Sequence, residues 1–395
     1  MDAIYLDNAA SAPLDPAVRE AMLPYLAGVA NPASGHGPGR RAGAAVETAR
    51  ERVAALIGAA PDEIVWTSGA TEADNLAIAG PAAFAGGPGH IVTTAIEHKA
   101  VLDPVRRLAR AGWRVTELGV DAGGRVDPAE LAAALADDTV LVSVMHVNNE
   151  TGTIQDLAAI GEHVRAHGAV FHVDAAQSLG KLPLSADAVG ADLISLSAHK
   201  LHGPQGVGAL YVRRRPRARL APILHGGGHE QGLRPGTLPV HQVVGMGAAC
   251  ALAGERMAAE RAAIARRRDR LWTRLAGLGG VRRHGDADHT VSGILNVGVA
   301  GVHGEALLAG LTLGEPALAV SSGAACSDAR AGSSYVLRAM GLTPVQAAAS
   351  LRFSLGRFTT DDDIERAADR VIEEVTRLRA LAPSAADPDA IAGAA

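Results

Sequence analysis

Two short runs carry the residues best suited to chemistry. Ser197–Lys200, SAHK, closes the apolar segment Asp192–Leu196, and Val170–Gln177, VFHVDAAQ, closes another that ends on Asp174. Lysine rarely sits beside a core. A desolvated amine there loses part of its preference for the charged form and can condense with an aldehyde. A carboxylate close by can hold a pyridine nitrogen protonated. Lys200 and Asp174 together therefore supply what pyridoxal phosphate needs: an amine for its aldehyde, and a carboxylate that lets its ring accept electrons.

Other residues fit around that pair. Ser68–Asn75, SGATEADN, follows an apolar run and opens a helical one. Gly69 and Ala70 let the backbone approach a ligand, the free amides and positive end of the helix suit a phosphate, and Thr71 adds a hydroxyl. An ordinary helix cap using Glu72 is the plainer reading; the Lys200–Asp174 pair favours the phosphate. His98 lies just past another apolar run, where a flat imidazole can stack on a ring and move protons. Asn148 and Asn149 suit a turn, yet the Asn149 carboxamide also fits a ring oxygen or a substrate carboxylate. Gln177, three residues past Asp174, can reach the same oxygen. Ser197 and His199 suit the phosphate; His199, next to Lys200 in sequence, points away from the acid–base role that suits His98. Arg352 in LRFSLGR offers a guanidinium fork for an α-carboxylate, with a structural ion pair as the alternative.

The two cysteines differ. Cys326 lies in SSGAACSDARAGSS, a run of small and polar residues that reads as a mobile loop carrying a reactive thiol. Cys250 lies in an Ala-rich helical run and reads as packing. In His225–Thr237, HGGGHEQGLRPGT, a metal held by His225, His229 and Glu230 would need a helix that Gly226–Gly228 disrupt, so no metal site is expected. An anion-contacting loop is the better reading, with Thr237 reaching a phosphate.

The positioning elements alternate. Strands are expected at Ile64–Thr67, His90–Ala95, Arg114–Leu118, Thr139–His146, Val170–Val173, Asp192–Leu196 and Gly208–Val212. Several are continuous Val/Ile/Leu-rich runs, as in strands buried on both faces. Helical periods lie between them, such as Leu157, Ile160 and Val164, and an earlier helix shares a face among Val46, Ala49, Val53, Leu56 and Ile57. This is the pattern of an α/β fold with a mainly parallel sheet between helical layers, whose ligands sit beyond the carboxyl ends of the strands. Near Glu255 a second section begins, with a helix at Gly254–Leu275, a strand at Ile294–Val299, a glycine-rich loop and a helix at Thr360–Leu381.

Bulk composition narrows the function. At 395 residues two domains are expected. A net charge of −5 gives no basic field for nucleic acid. Two cysteines make no disulfide framework, no run approaches the ~20 apolar residues of a membrane span, and the N-terminus carries no signal-like segment. A cytoplasmic protein is expected.

In order along the chain, YLDNAASAPLDP, NPASGHGPGRRAG, TSGATEADNLAI, EHKAVL, VSVMHVNNETG, FHVDAAQSLGKLP, LSAHKLHGPQGVGALYVRR, HGGGHEQGLRPGTLPVHQVVGMG, AVSSGAACS, SYVLRAMGL and LRFSLGRFT resemble the cysteine desulfurases of the NifS/IscS type, fold-type I pyridoxal phosphate enzymes of the class V aminotransferase group. The resemblance runs to about Pro383. It implies a three-layer α/β/α large domain at 11–258 and a smaller α+β domain from 1–10 and 259–395, which carries the cysteine loop at about 321–334. It implies that Lys200 binds the cofactor covalently, Asp174 pairs its ring nitrogen, His98 stacks on the ring and Gln177 bonds its phenolic oxygen. Ala70, Thr71, Ser197 and His199 would hold the phosphate, and Thr237 would reach it from the other subunit of a homodimer. Asn149 and Arg352 are expected near the substrate carboxylate, and Cys326 as the nucleophile that keeps sulfur as a persulfide.

The implied activity converts L-cysteine to L-alanine and passes sulfur to an acceptor protein, for iron–sulfur cluster assembly or tRNA thiolation. A selenocysteine lyase or another class V enzyme is the alternative. A non-enzymatic sulfur relay is a third reading, with Arg213–Arg219 as a docking run, though that run reads more simply as a solvated loop. Three departures stand out: Ala198 replaces a frequent Gly, Leu311–Ala317 is longer than usual, and the tail after Pro383 lacks the longer form that docks a scaffold in some relatives.

Overall fold

The structure is a computed structural model and describes residues 3–28, 31–322 and 333–381. Among the described residues thirteen strands form three sheets. In chain order they are β1 (Ile4–Tyr5), β2 (Ile64–Thr67), β3 (His90–Thr94), β4 (Arg114–Leu118), β5 (Thr139–Ser143), β6 (Val170–Asp174), β7 (Leu193–Ser197), β8 (Gly208–Val212), β9 (Val281–His284), β10 (Ile294–Val299), β11 (Leu318–Ala319), β12 (Ser321–Ser322) and β13 (Ser350–Ser354). The main sheet has the order β2-β8-β7-β6-β5-β3-β4, with every strand parallel except β8.

The continuous apolar runs have a direct cause. Successive side chains leave a strand on opposite faces, and both faces of this sheet are covered. Trp66, Val92, Val142 and Ile194 enter one core with Val46, Ala49 and Val53 of the helix Gly37–Leu56. Their sequence neighbours Val65, Ile91, Leu141 and Leu193 enter the other, with Leu76 and Ile78 of the helix Ala70–Ala85 and Val101 and Val105 of the helix Lys99–Arg110.

A second core gathers around the antiparallel sheet β12-β13-β10-β9. Leu295, Val297, Leu351 and Phe353 pack there against Leu307 and Leu311, Ile364 and Val371, and Leu271 and Leu275. The N-terminus joins it: Ile4 and Leu6 are buried in this core, and β1 pairs in parallel with β11.

Three elements differ from the sequence reading. The helix expected at Gly254–Leu275 runs from Val240 to Ala276, 37 residues. Its glycines are contact points, not breaks: a Cβ on Gly247 would lie 2.6 Å from the Ala49 Cα. Beyond β10 the chain forms a helix at Gly304–Leu313 where a glycine-rich loop was read, because Leu307 and Leu311 share one buried face. Ser350–Ser354 was not read as a strand; it is β13, with Leu351 and Phe353 in the second core and the polar set Ser350, Arg352 and Ser354 on the opposite face.

Candidate active site

The carboxyl ends of β2, β6 and β7 surround a cavity of about 460 Å³, which Ala70, Thr71, His98, Asn149, Asp174, Gln177, Ser197, His199, Lys200 and Arg352 all line. Sequence reading had named each of them. At one end, β2 passes through Ser68–Gly69 into the helix Ala70–Ala85. Gly69 is the cap residue and contributes no side-chain bond, so the first-turn amides face the cavity as unpaired donors. Glu72 does not take them: its carboxylate accepts from Ser68 N at 2.7 Å and from Arg234 Nε at 2.7 Å. The helix end is drawn close to the sheet by Gly208, whose Cβ would fall 2.7 Å from the Gly69 Cα. Beside it the Ser197 hydroxyl is buried without a hydrogen-bond partner among the described residues. Such a group carries a desolvation cost until something binds it. His199 faces Ser11 Oγ at 3.3 Å, and burial, then Lys200, push its imidazole down to about 4.

On the floor, Asp174 Oδ1 accepts from Ala176 N at 2.8 Å. The Gln177 amide is fixed at both ends: Nε2 donates to Ala9 O at 2.8 Å, and Oε1 accepts from Lys181 Nζ at 3.0 Å. Burial, followed by the charges of Lys200 and Arg352, pushes Lys181 down to about 7. His98 caps its own helix, with Nδ1 accepting from Ala100 N at 3.1 Å. Burial, then Lys200, hold this imidazole below its ordinary value. A neutral ring that accepts at Nδ1 carries its proton on Nε2, so His98 is set to donate there rather than to act as a base.

The antiparallel sheet supplies the opposite wall. Arg352 on β13 donates from Nη2 to Asp7 Oδ1 at 2.7 Å and to Ser321 Oγ at 3.1 Å, and from Nη1 to Asn149 O at 2.8 Å. Its Nε and the Asn149 Oδ1 lack partners among the described residues. Ser334 donates to Glu150 Oε2 at 2.5 Å, and burial raises that carboxyl to about 7. Tyr335 donates to Glu97 O at 2.6 Å.

Two expected residues are not in this constellation. Cys326 lies outside the described residues. Thr237 is exposed and does not line the cavity. The Glu230 carboxylate, weighed as a metal ligand, is engaged by Arg50 Nη1 at 2.8 Å and Trp66 N at 2.9 Å. Cys250 is buried, with its thiol pushed up to about 12 by desolvation. Sequence reading missed Asp7, Asp74 and Lys181. The available signal was an acid or amine inside an otherwise apolar period, as in ADNLAIAG and SLGKLP.

The arrangement offers an anion seat at a helix end, a carboxylate on the floor, an amine between them and a guanidinium opposite. Residues 4–367 match the aminotransferase class-V family. The chain is 51% identical over 385 residues to the cysteine desulfurase IscS of Klebsiella pneumoniae, covering 96% of this chain and 94% of that one. Among solved structures, a NifS-like protein superposes with a TM-score of 0.89 at 34% identity, over 95% of this chain and all of that one. SspA in complex with cysteine superposes with a TM-score of 0.80 at 36% identity, over 90% of this chain and 99% of that one. Sequence, fold and cavity agree: this chain belongs to the class-V aminotransferase family and, within it, to the cysteine desulfurases.

Proposed function

We propose that the chain removes sulfur from L-cysteine, leaves L-alanine, and takes the sulfur onto Cys326 as a persulfide. The observation that carries this reading is the convergence of Lys200, Asp174, the unpartnered Ser197 hydroxyl and Arg352 on one cavity. Pyridoxal phosphate fits that donor set, and when bound it supplies an electron sink conjugated to the substrate's α-carbon. The amides of Ala70 and Thr71, with Ser197 and His199, would hold its phosphate. Asp174 would pair its ring nitrogen, His98 would stack on its ring and Gln177 would bond its phenolic oxygen, while Lys200 would supply the amine for its aldehyde.

The chain's own groups then act on the amino acid. Arg352 and Asn149 orient the carboxylate. Lys200 Nζ takes the α-proton, and His98 Nε2 donates toward the substrate. The Cys326 thiolate attacks the substrate sulfur; the carbon–sulfur bond breaks, its electron pair stays with the carbon fragment, and protonation there gives alanine. A homodimer in which Thr237 crosses to the partner's phosphate, a cytoplasmic setting and an acceptor protein in iron–sulfur assembly or tRNA thiolation belong to the same reading. It takes 11–258 as the cofactor-binding unit and 1–10 with 259–395 as the unit bearing Arg352 and Cys326, supported by their separate cores.

The test is turnover of ³⁵S-labelled L-cysteine by protein loaded with pyridoxal phosphate. Alanine should form, and label should remain on the protein, releasable by thiol reductant. Label carried elsewhere than on Cys326, or pyruvate in place of alanine, overturns the assignment.

A further inference from the structure

One carboxyl at the bottom of the cavity has no place in the chemistry above. Asp74 lies one turn into the helix Ala70–Ala85, directly below the anion seat, and is 1% exposed. It lines the same cavity as Asp174. Among the described residues neither of its oxygens meets full hydrogen-bond geometry, and the Ser195 hydroxyl is a nearby donor that favours the charged form. Its close polar neighbour is His172, with Nε2 3.6 Å from Asp74 Oδ1. His172 shares a strand face with Asp174, two residues on along β6. Both ring nitrogens of His172 are already occupied, Nδ1 by Ser143 Oγ at 2.8 Å and Nε2 by Ser195 Oγ at 2.9 Å.

We propose that Asp74 is a positioning residue carried as a neutral carboxylic acid, so that the cavity floor holds one negative charge and that charge sits on Asp174. A buried carboxylate without well-formed hydrogen bonds or a paired cation is strongly disfavoured, and two acids facing each other do not both ionise. Most of the groups facing Asp74 reinforce this. From β6 come Asp174 and His172, and burial pushes His172 down to about 4, so it brings no positive charge. From β7 come the Ser195 hydroxyl and, just beyond, Lys200, both of which favour the charged form, and burial outweighs them. Past β3 comes Glu97, which burial raises to about 8 and so keeps neutral. Burial, then Asp174, raise Asp74 itself well above the ordinary carboxylate value. Asp174, in contrast, accepts a backbone amide and opens to the cavity.

The protonation state stands without a cofactor; its consequence for the ring nitrogen rests on the proposed function. Infrared difference spectra of wild type minus Asp74→Asn are recorded at pH 7.5, with and without pyridoxal phosphate. They should show a protonated carboxyl band lost in the variant; loss of an ionised carboxylate band instead overturns the proposal. In Asp174→Asn the partner charge is gone, so the protonated band should titrate lower by about one unit or more, a tenfold change in proton affinity. An unmoved midpoint overturns the coupling, and this arm decides the matter if Asp74→Asn does not fold. With pyridoxal phosphate bound, the pH midpoint of the visible absorbance should be the same in Asp74→Asn as in wild type; a shift of about one unit shows that Asp74 was charged. A wild type that gains no visible band overturns the cofactor reading alone, and the infrared arms still decide the charge of Asp74.

Discussion

The two walls of the cavity bind in opposite ways. On the end of the main sheet, polar groups wait: among the described residues Ser197 Oγ is buried without a partner, and the helix at Ala70 has no side-chain cap. On the antiparallel sheet, Arg352 is already held by Asp7, Ser321 and a backbone carbonyl. The first wall is built to be completed by a ligand that stays. The second keeps its cation solvated by the protein itself, so a substrate carboxylate must join or displace Asp7. A resident cofactor on one side and a passing substrate on the other follow from that difference.

The comparison can be broken at several points. Lys200→Ala should cut turnover of L-cysteine by about 10⁴-fold and abolish any borohydride-reducible link to pyridoxal phosphate; a reducible link that persists moves the reacting amine elsewhere. Cys326→Ala should keep the visible absorbance yet form no persulfide, and sulfide release at the wild-type rate would remove that thiol from the mechanism.

Arg352→Lys should lower kcat/KM about ten- to a hundredfold, mainly through KM, because a point charge replaces a fork. Cofactor affinity should hold, since Arg352 belongs to the substrate wall. Asp7→Asn should change kcat/KM by less; an equal loss in both variants would mean that Asp7 orients the guanidinium rather than competing with substrate.

Glu150, in the turn after β5 and bonded by Ser334, gives a pH test beside the cavity. Its folded carboxyl is raised to about 7 against an ordinary 4.5, chiefly by burial. The folded state therefore holds this proton more tightly. The stability it confers is present below about pH 4.5 and is lost as pH rises through 7. Glu150→Gln should accordingly gain on wild type by up to about 3 kcal/mol across that window, read as denaturant midpoints at stepped pH. A difference independent of pH would mean that Glu150 is already ionised in the fold. The smallest effect is expected from Ser197→Ala, which should weaken pyridoxal phosphate binding by about fivefold, one hydrogen bond among several; no change at all would take the phosphate away from the helix end.

Much of the main sheet could be read from the residues. Ile64–Thr67, Arg114–Leu118 and Gly208–Val212 match the observed strands residue for residue; the first and last are buried throughout, which writes a mostly apolar run, while Arg114–Leu118 is the partly exposed edge strand. The second sheet was less legible. Only β10 was read there; β13 alternates, with Leu351 and Phe353 in the core, but its polar set Ser350, Arg352 and Ser354 is buried as well, where an alternating strand ordinarily turns that face to water.

By itself the sequence determined the reacting set: an amine and a carboxylate at strand ends, a glycine turn before a helix, and a set of motifs shared with a family. Tertiary structure alone decided which groups are charged and which are held. Asp74 and Lys181 stand out in the linear chain only as an acid and an amine inside apolar runs, and Glu150 as part of a polar turn. Their titration depends on removal from water and on neighbours that folding brings from distant positions, and no local pattern encodes either.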